Sequence, residues 1–258
     1  KIWLNYCYAG HILIIDSQPL MCKPVSLFAF EYYNKDMERN FTERLKVGLS
    51  HHLQGRLTEA SKIYATLLDE SPDHPEVLQL AGALVLDRGD AKEACDLLEK
   101  AVKLNPDFTP VKINYAIALA ACDRTDEALT LLRDVITLAP HAPEGYLNAG
   151  RVMLAKGDFT EARNMLKKAV TMLPSDAVAQ NDYAIALQKL GHIEEALEAN
   201  QVACSLEPQN AIFRANRCSI RLDCDDFVAA VEDGEKAISI ERSCKEAHYN
   251  LANPYQAL

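Results

Sequence analysis

Five positions spaced 34 residues apart carry a small polar group able to pair with a peptide backbone: Asn114, Asn148, Asp182, Asn216 and Asn250. A carboxamide offers an acceptor oxygen and two N–H donors, so a row of them can bond both the C=O and the N–H groups of a chain laid across it. That is recognition chemistry with weak dependence on the partner's side chains. Asn181 stands beside Asp182, and helical spacing puts Arg151 and Tyr249 on the same wall. Arginine and tyrosine are residue types that become interface anchors. The two earliest equivalents of the row are Lys46 and Leu80, and Ala83, Ile117, Ile185 and Ser219 flank it.

Reactive groups do not assemble in the same way. His51 and His52 are adjacent, so on a helix they point to different faces and cannot share a metal; His52 is expected on the inner wall as a solvated side chain. His74 and His141 fall at turns. The cysteines Cys7, Cys22, Cys95, Cys122, Cys204, Cys218, Cys224 and Cys244 are scattered without a C-x-x-C pair, Cys218 and Cys224 being the one close pair in sequence. They read as reduced thiols of an intracellular, cytoplasmic protein. Glu194-Glu195 and Asp225-Asp226 open helices, where negative charge suits the dipole. No nucleophile elbow and no metalloprotease motif occurs. The expectation is a chain that is not an enzyme, with no catalytic residue, metal or cofactor within these residues.

Composition narrows the partners further. The 258 residues carry 37 acidic and 27 basic side chains, a formal charge of −10, which disfavours nucleic acid. The longest apolar run, Ile12-Leu13-Ile14-Ile15, is far short of the roughly 18–20 residues that span a bilayer. A hydrophobic content of 49%, with 25% charged residues, is that of a core-forming chain. Protein or peptide is the partner class that remains.

The elements that must position this row follow from three periodic series. Prolines stand at Pro72, Pro106, Pro140, Pro174 and Pro208; alanines at Ala60, Ala94, Ala128, Ala162, Ala196 and Ala230; small residues at Gly48, Gly82, Ala116, Gly150, Ala184, Cys218 and Ala252. All share the 34-residue spacing, the mark of a repeat architecture. Residues 143–176 show the unit. Pro143 opens a first helix with Tyr146, Ala149, Gly150 and Met153 on one stripe. Lys156-Gly157-Asp158 breaks it, as Gly55, Gly89 and Gly191 do elsewhere, and a second helix buries Ala162, Leu166 and Ala169 before Pro174. Gly150 and Ala162 are small because the two helices cross there.

On these residues the chain resembles the tetratricopeptide repeat (TPR) family. The resemblance implies an all-α, right-handed α-α superhelix of six full repeats (41–74, 75–108, 109–142, 143–176, 177–210, 211–244) and a partial seventh (245–258). It further implies a peptide-binding concave groove lined by each first helix. The asparagine row resembles that of the O-linked N-acetylglucosamine transferase family. The two-carboxylate clamp of chaperone-binding TPR domains is not matched, because Asn181, Ile185, Glu246 and Asn250 occupy its other places. Asn at this position is also common across the family as a purely structural residue.

Three regions depart from the pattern. Arg217, Arg221, Gly234 and Arg242 interrupt the sixth repeat, which is expected to be the loosest. In the seventh, Pro254 falls mid-helix and Leu251 and Tyr255 are expected to have nothing to pack on, which suggests self-association or a longer protein. Residues 1–40 do not repeat and hold Trp3, Tyr6, Tyr8, Phe28, Phe30, Tyr32 and Tyr33, an apolar cap on one reading and unstructured sequence on the other. The function expected is a protein-interaction module binding an extended or helical segment. The alternative is the substrate-recruiting arm of a larger, glycosyltransferase-like enzyme.

Overall fold

The computed structural model describes the backbone of residues 25–251 and the side chains of residues 39–251. Within these, thirteen α-helices follow one another: α1 (Val25–Leu53), α2 (Leu57–Glu70), α3 (Pro75–Asp87), α4 (Ala91–Leu104), α5 (Thr109–Ala121), α6 (Thr125–Leu138), α7 (Pro143–Lys156), α8 (Phe159–Met172), α9 (Ala177–Lys189), α10 (Ile193–Leu206), α11 (Ala211–Leu222), α12 (Phe227–Ile240) and α13 (Lys245–Leu251). The all-α repeat class expected from the 34-residue spacing is what the chain adopts. Two compact units divide after Asp123, in the turn between α5 and α6. The first holds α1 to α5 and the second α6 to α13.

Helix boundaries have local causes. Pro75 and Pro143 occupy first-turn positions, where a missing N–H costs nothing. Asp90, Asp158, Asp176 and Asp226 cap their helices, the Asp176 carboxylate accepting from the Ala179 N–H at 2.8 Å. The turn inside each repeat needs a left-handed residue. Gly55, Gly89, Gly157 and Gly191 supply it, with φ between 73° and 89°. At the same place in the third and sixth repeats stand Asp123 and Asp225, with φ of 60° and 59°. An aspartate tolerates that region better than most side chains.

Close helix crossing within a repeat rests on a small residue in the first helix facing a large one in the second. A Cβ added at Gly82 would come within 2.6 Å of Leu98 Cγ, and one at Gly150 within 2.5 Å of Leu166 Cγ. The partner of Gly150 is therefore Leu166, one turn beyond Ala162. The alanines at 60, 94, 128, 162, 196 and 230 are all fully buried.

The sixth repeat solves its irregularities differently from the looseness expected. Arg217 makes a two-pronged ion pair with Asp233, and Arg221 Nη1 lies 2.7 Å from the same carboxylate. Arg214 Nη1 stands 3.8 Å away. Asp233 is 3% exposed, so three arginines of α11 converge on one buried carboxylate of α12 where other repeats place apolar contacts. The small-against-large order is also altered: Cys218 sits in the first helix, and Gly234 in the second leaves room that Leu251 fills from α13 (a Cβ at Gly234 would meet Leu251 Cγ at 2.6 Å). Leu251 is thus buried, contrary to the unpartnered face expected of it, because a repeat's first helix packs on the helix before it. Pro254 and Tyr255 lie outside the described residues, as do Cys7, Cys22 and the aromatics before Val25. No helix break occurs at residue 41: α1 begins sixteen residues earlier.

Candidate functional site

In the N-terminal unit, α1, α3 and α5 present one face to a groove of about 1030 Å³. The residues recur at helical spacing, Glu76, Gln79, Leu80, Ala83, Leu86 and Asp87 on α3 alone, which is why one stripe of each first helix reaches it. Its floor is apolar: Leu49 and Leu53 from α1, Leu80, Ala83 and Leu86 from α3, Phe108 and Ile117 at and within α5. Polar side chains stand around that floor, among them Ser50, Gln54, Glu76 and Asp87. Lys46 is paired with Glu43 at 3.1 Å on the exposed rim. Gln79 is 5% exposed and Asn114 half-buried, and among the described residues nothing pairs with either carboxamide. Neither amide has an oxygen or nitrogen among the buried unpaired ones, so each is open to exchange water for a peptide group.

His52 is not the solvated side chain expected of it. It is 3% exposed, with Nε2 3.0 Å from Asp87 Oδ2 and its ring 6.1 Å from that of Tyr64, edge on. It joins α1 to α3 beneath the groove instead of meeting solvent, because Asp87 on the next first helix reaches back to it.

The C-terminal unit places the other residues of the row. Asn148 is 4% exposed and donates Nδ2 to the Glu144 carbonyl of its own helix at 2.8 Å. Asn216 donates to Asn181 Oδ1 at 2.9 Å, which also accepts from the fully buried Asn200 at 3.2 Å. Asn200 donates in turn to the Phe213 carbonyl at 3.1 Å. Asn250 donates to the Ala215 carbonyl at 2.9 Å. The amide donors of Asn216 and Asn250 therefore tie α9, α11 and α13 together, each bond spanning 35 residues. Asp182 is 9% exposed with Oδ2 3.1 Å from Arg151 Nε. Burial pushes its carboxyl up to about 6, against the downward pull of Arg151 and of a bond to Asn181. Tyr249 is 81% exposed.

Sequence reasoning missed Gln79, whose neighbour Leu80 occupies the row, and Asn200, which lies on a second helix. Spacing could have found Gln79, since it precedes the row position as Asn181 does. Asn200 had no such signal. Among the described residues no group of three or more His, Cys, Asp or Glu is placed to hold a metal, and no helix is long and apolar enough to cross a membrane.

Residues 45–107 match one family described as tetratricopeptide repeat, and residues 85–149 and 153–215 match a second of the same description. Among curated proteins the chain is 24% identical to cellulose synthase operon protein C of Pseudomonas fluorescens over 80% of its own length and 17% of the relative's. It is 24% identical to a DnaJ homolog subfamily C member 7 homolog of Dictyostelium discoideum (75% and 32%) and 28% identical to human protein O-mannosyl-transferase TMTC1 (69% and 20%). The chain spans a third or less of each. Among solved structures, the APC/C hetero-tetramer Cut9-Hcn1 superposes with a TM-score of 0.76 at 15% identity, covering 83% of this chain and 42% of that one. PilF of Pseudomonas aeruginosa gives 0.69 at 18%, covering 85% and 98%. YrrB, described as a TPR protein with an unusual peptide-binding site, gives 0.55 at 16%, covering 76% and 98%. At these identities the likeness is one of fold. Helix pairs of 34 residues, Gly82 and Gly150 each set against a leucine where the pair crosses, and family matches within residues 45 to 215 lead to one conclusion: the chain belongs to the tetratricopeptide repeat family.

Proposed function

We propose that the chain is a protein-interaction module and that the groove of the N-terminal unit receives an extended or helical peptide segment. The observation that carries this reading is the pair of uncommitted carboxamides, Gln79 and Asn114, set over the apolar floor of Leu49, Leu53, Ala83 and Ile117. The floor takes apolar side chains of the partner, and the amides pair with its backbone. On the C-terminal unit, recognition falls to Tyr249 and the Arg151–Asp182 pair. Asn148, Asn181, Asn216 and Asn250 hold the helices that carry them. The same reading makes these residues non-catalytic and leaves the activity of any longer protein to segments outside the groove.

The test uses peptides selected from a random display library on the full chain. Ala83→Arg, which fills the floor, should abolish their binding with helicity unchanged by circular dichroism. Gln79→Ala with Asn114→Ala should weaken it about tenfold or more. Selected peptides that bind the Ala83→Arg variant as well as the parent would remove the groove from the account.

A further inference from the structure

We propose that Cys95 and Cys122 are an oxidation site, closing to a reversible disulfide with hydrogen peroxide as the oxidant. Cys95 lies on α4 and is 5% exposed; Cys122 caps α5 and is half-buried. Their sulfurs stand 4.0 Å apart, the Cys95 thiol directed at Cys122. A disulfide needs about 2.05 Å, so closure draws the sulfurs together by roughly 2 Å. The two are 27 residues apart in sequence, so neither motif nor spacing reveals them. The packing of α4 against α5 brings them together.

Exposure divides the labour. The Cys122 thiolate, which solvent can reach, attacks one peroxide oxygen; an S–O bond forms, the O–O bond breaks, and the departing hydroxide leaves as water. Cys122 is then a sulfenic acid. The Cys95 thiolate attacks that sulfur; the S–S bond forms, the S–O bond breaks, and a second water leaves with the two remaining protons. Two thiols have lost two electrons, and one peroxide has become two waters. Burial keeps peroxide from Cys95 itself, and a thiol waiting at 4.0 Å intercepts the sulfenic acid before further oxidation. The bond would fasten α4 to the end of α5, the helix that brings Asn114 and Ile117 to the groove.

The experiment treats the full chain with one equivalent of hydrogen peroxide, blocks free thiols with N-ethylmaleimide and maps peptides by mass spectrometry. The expected result is a 2 Da loss, a linked Cys95–Cys122 peptide that dithiothreitol abolishes, and a melting midpoint raised by about 5 °C. Cys95→Ser should leave Cys122 as a sulfenic acid that dimedone captures. Cys122→Ser, at a half-exposed turn, decides the matter if the buried variant fails to fold: it should give no linked peptide. Linkage of Cys122 to another cysteine, or its passage to sulfinic acid with Cys95 still alkylated, would overturn the proposal.

Discussion

Asp182 carries a clear pH signature. Its carboxyl titrates at about 6 in the folded state against 3.8 as an ordinary aspartate. A group whose folded pKa is raised contributes stability that is complete below the unfolded value and is lost as pH rises through the folded one. Ionising Asp182 therefore costs the fold about 3 kcal/mol between pH 4 and pH 7, with Arg151 limiting the loss. Asp182→Asn has no such titration. Its stability relative to the parent should climb by about that amount across the same interval in urea denaturation; a flat difference would mean the carboxyl is not desolvated. Asp225 makes a second prediction at this scale. It holds φ of 59° where four other repeats place glycine, so Asp225→Gly should raise stability by about 0.5–1 kcal/mol. Thermal melting would read this as a shift of a few degrees. The Cys218 thiol, pushed up to about 11 by burial and by the nearby Asp233 carboxylate, is in contrast inert.

Paired helices are the elements of this fold, and their contacts divide into those readable beforehand and those not. The crossing of α3 and α4 depends on Gly82 facing Leu98. Gly82→Ala places a methyl group within 2.6 Å of Leu98 Cγ and should destabilise by about 1–3 kcal/mol through overpacking. Gly89→Ala tests the turn instead, since open space surrounds it and only its φ of 89° is at stake. This much was legible, because a 34-residue period in small and large residues states which positions face each other within a repeat. Contacts between repeats were not. Asn216 meets Asn181 and Asn250 meets Ala215 only once first helices stack, so the row of carboxamides reads from sequence as a uniform wall while the structure gives three of its members bonds within the chain. His52 with Asp87 failed to show for the same reason, whereas Arg217 and Arg221 meet Asp233 inside one repeat, where a period in small and large residues gives no cue to an ion pair. A polar residue in a pattern of apolar ones says that something must satisfy it, not what. The N-terminal groove holds only Asn114 of the asparagine series, its other row positions being Lys46 and Leu80, so the series alone did not single it out.

Across the whole molecule, repeat stacking makes stability a sum over neighbours, so damage stays local. Asp233→Ala leaves three arginines of α11 with no buried counter-charge and should cost about 3–5 kcal/mol. Hydrogen exchange should then quicken in α11, α12 and α13 while the amides of α3 and α4 keep their protection, and library-selected peptides should still bind the N-terminal groove. Uniform loss of protection would show a chain more cooperative than a stack of nearest neighbours. One further result follows from Gly234, whose missing side chain is made good by Leu251. A chain cut after Arg242 keeps both helices of the sixth repeat yet exposes an empty socket shaped for a leucine. A synthetic peptide carrying the sequence of α13 should plug that socket in trans, so α13 behaves as a detachable part whose return can be titrated.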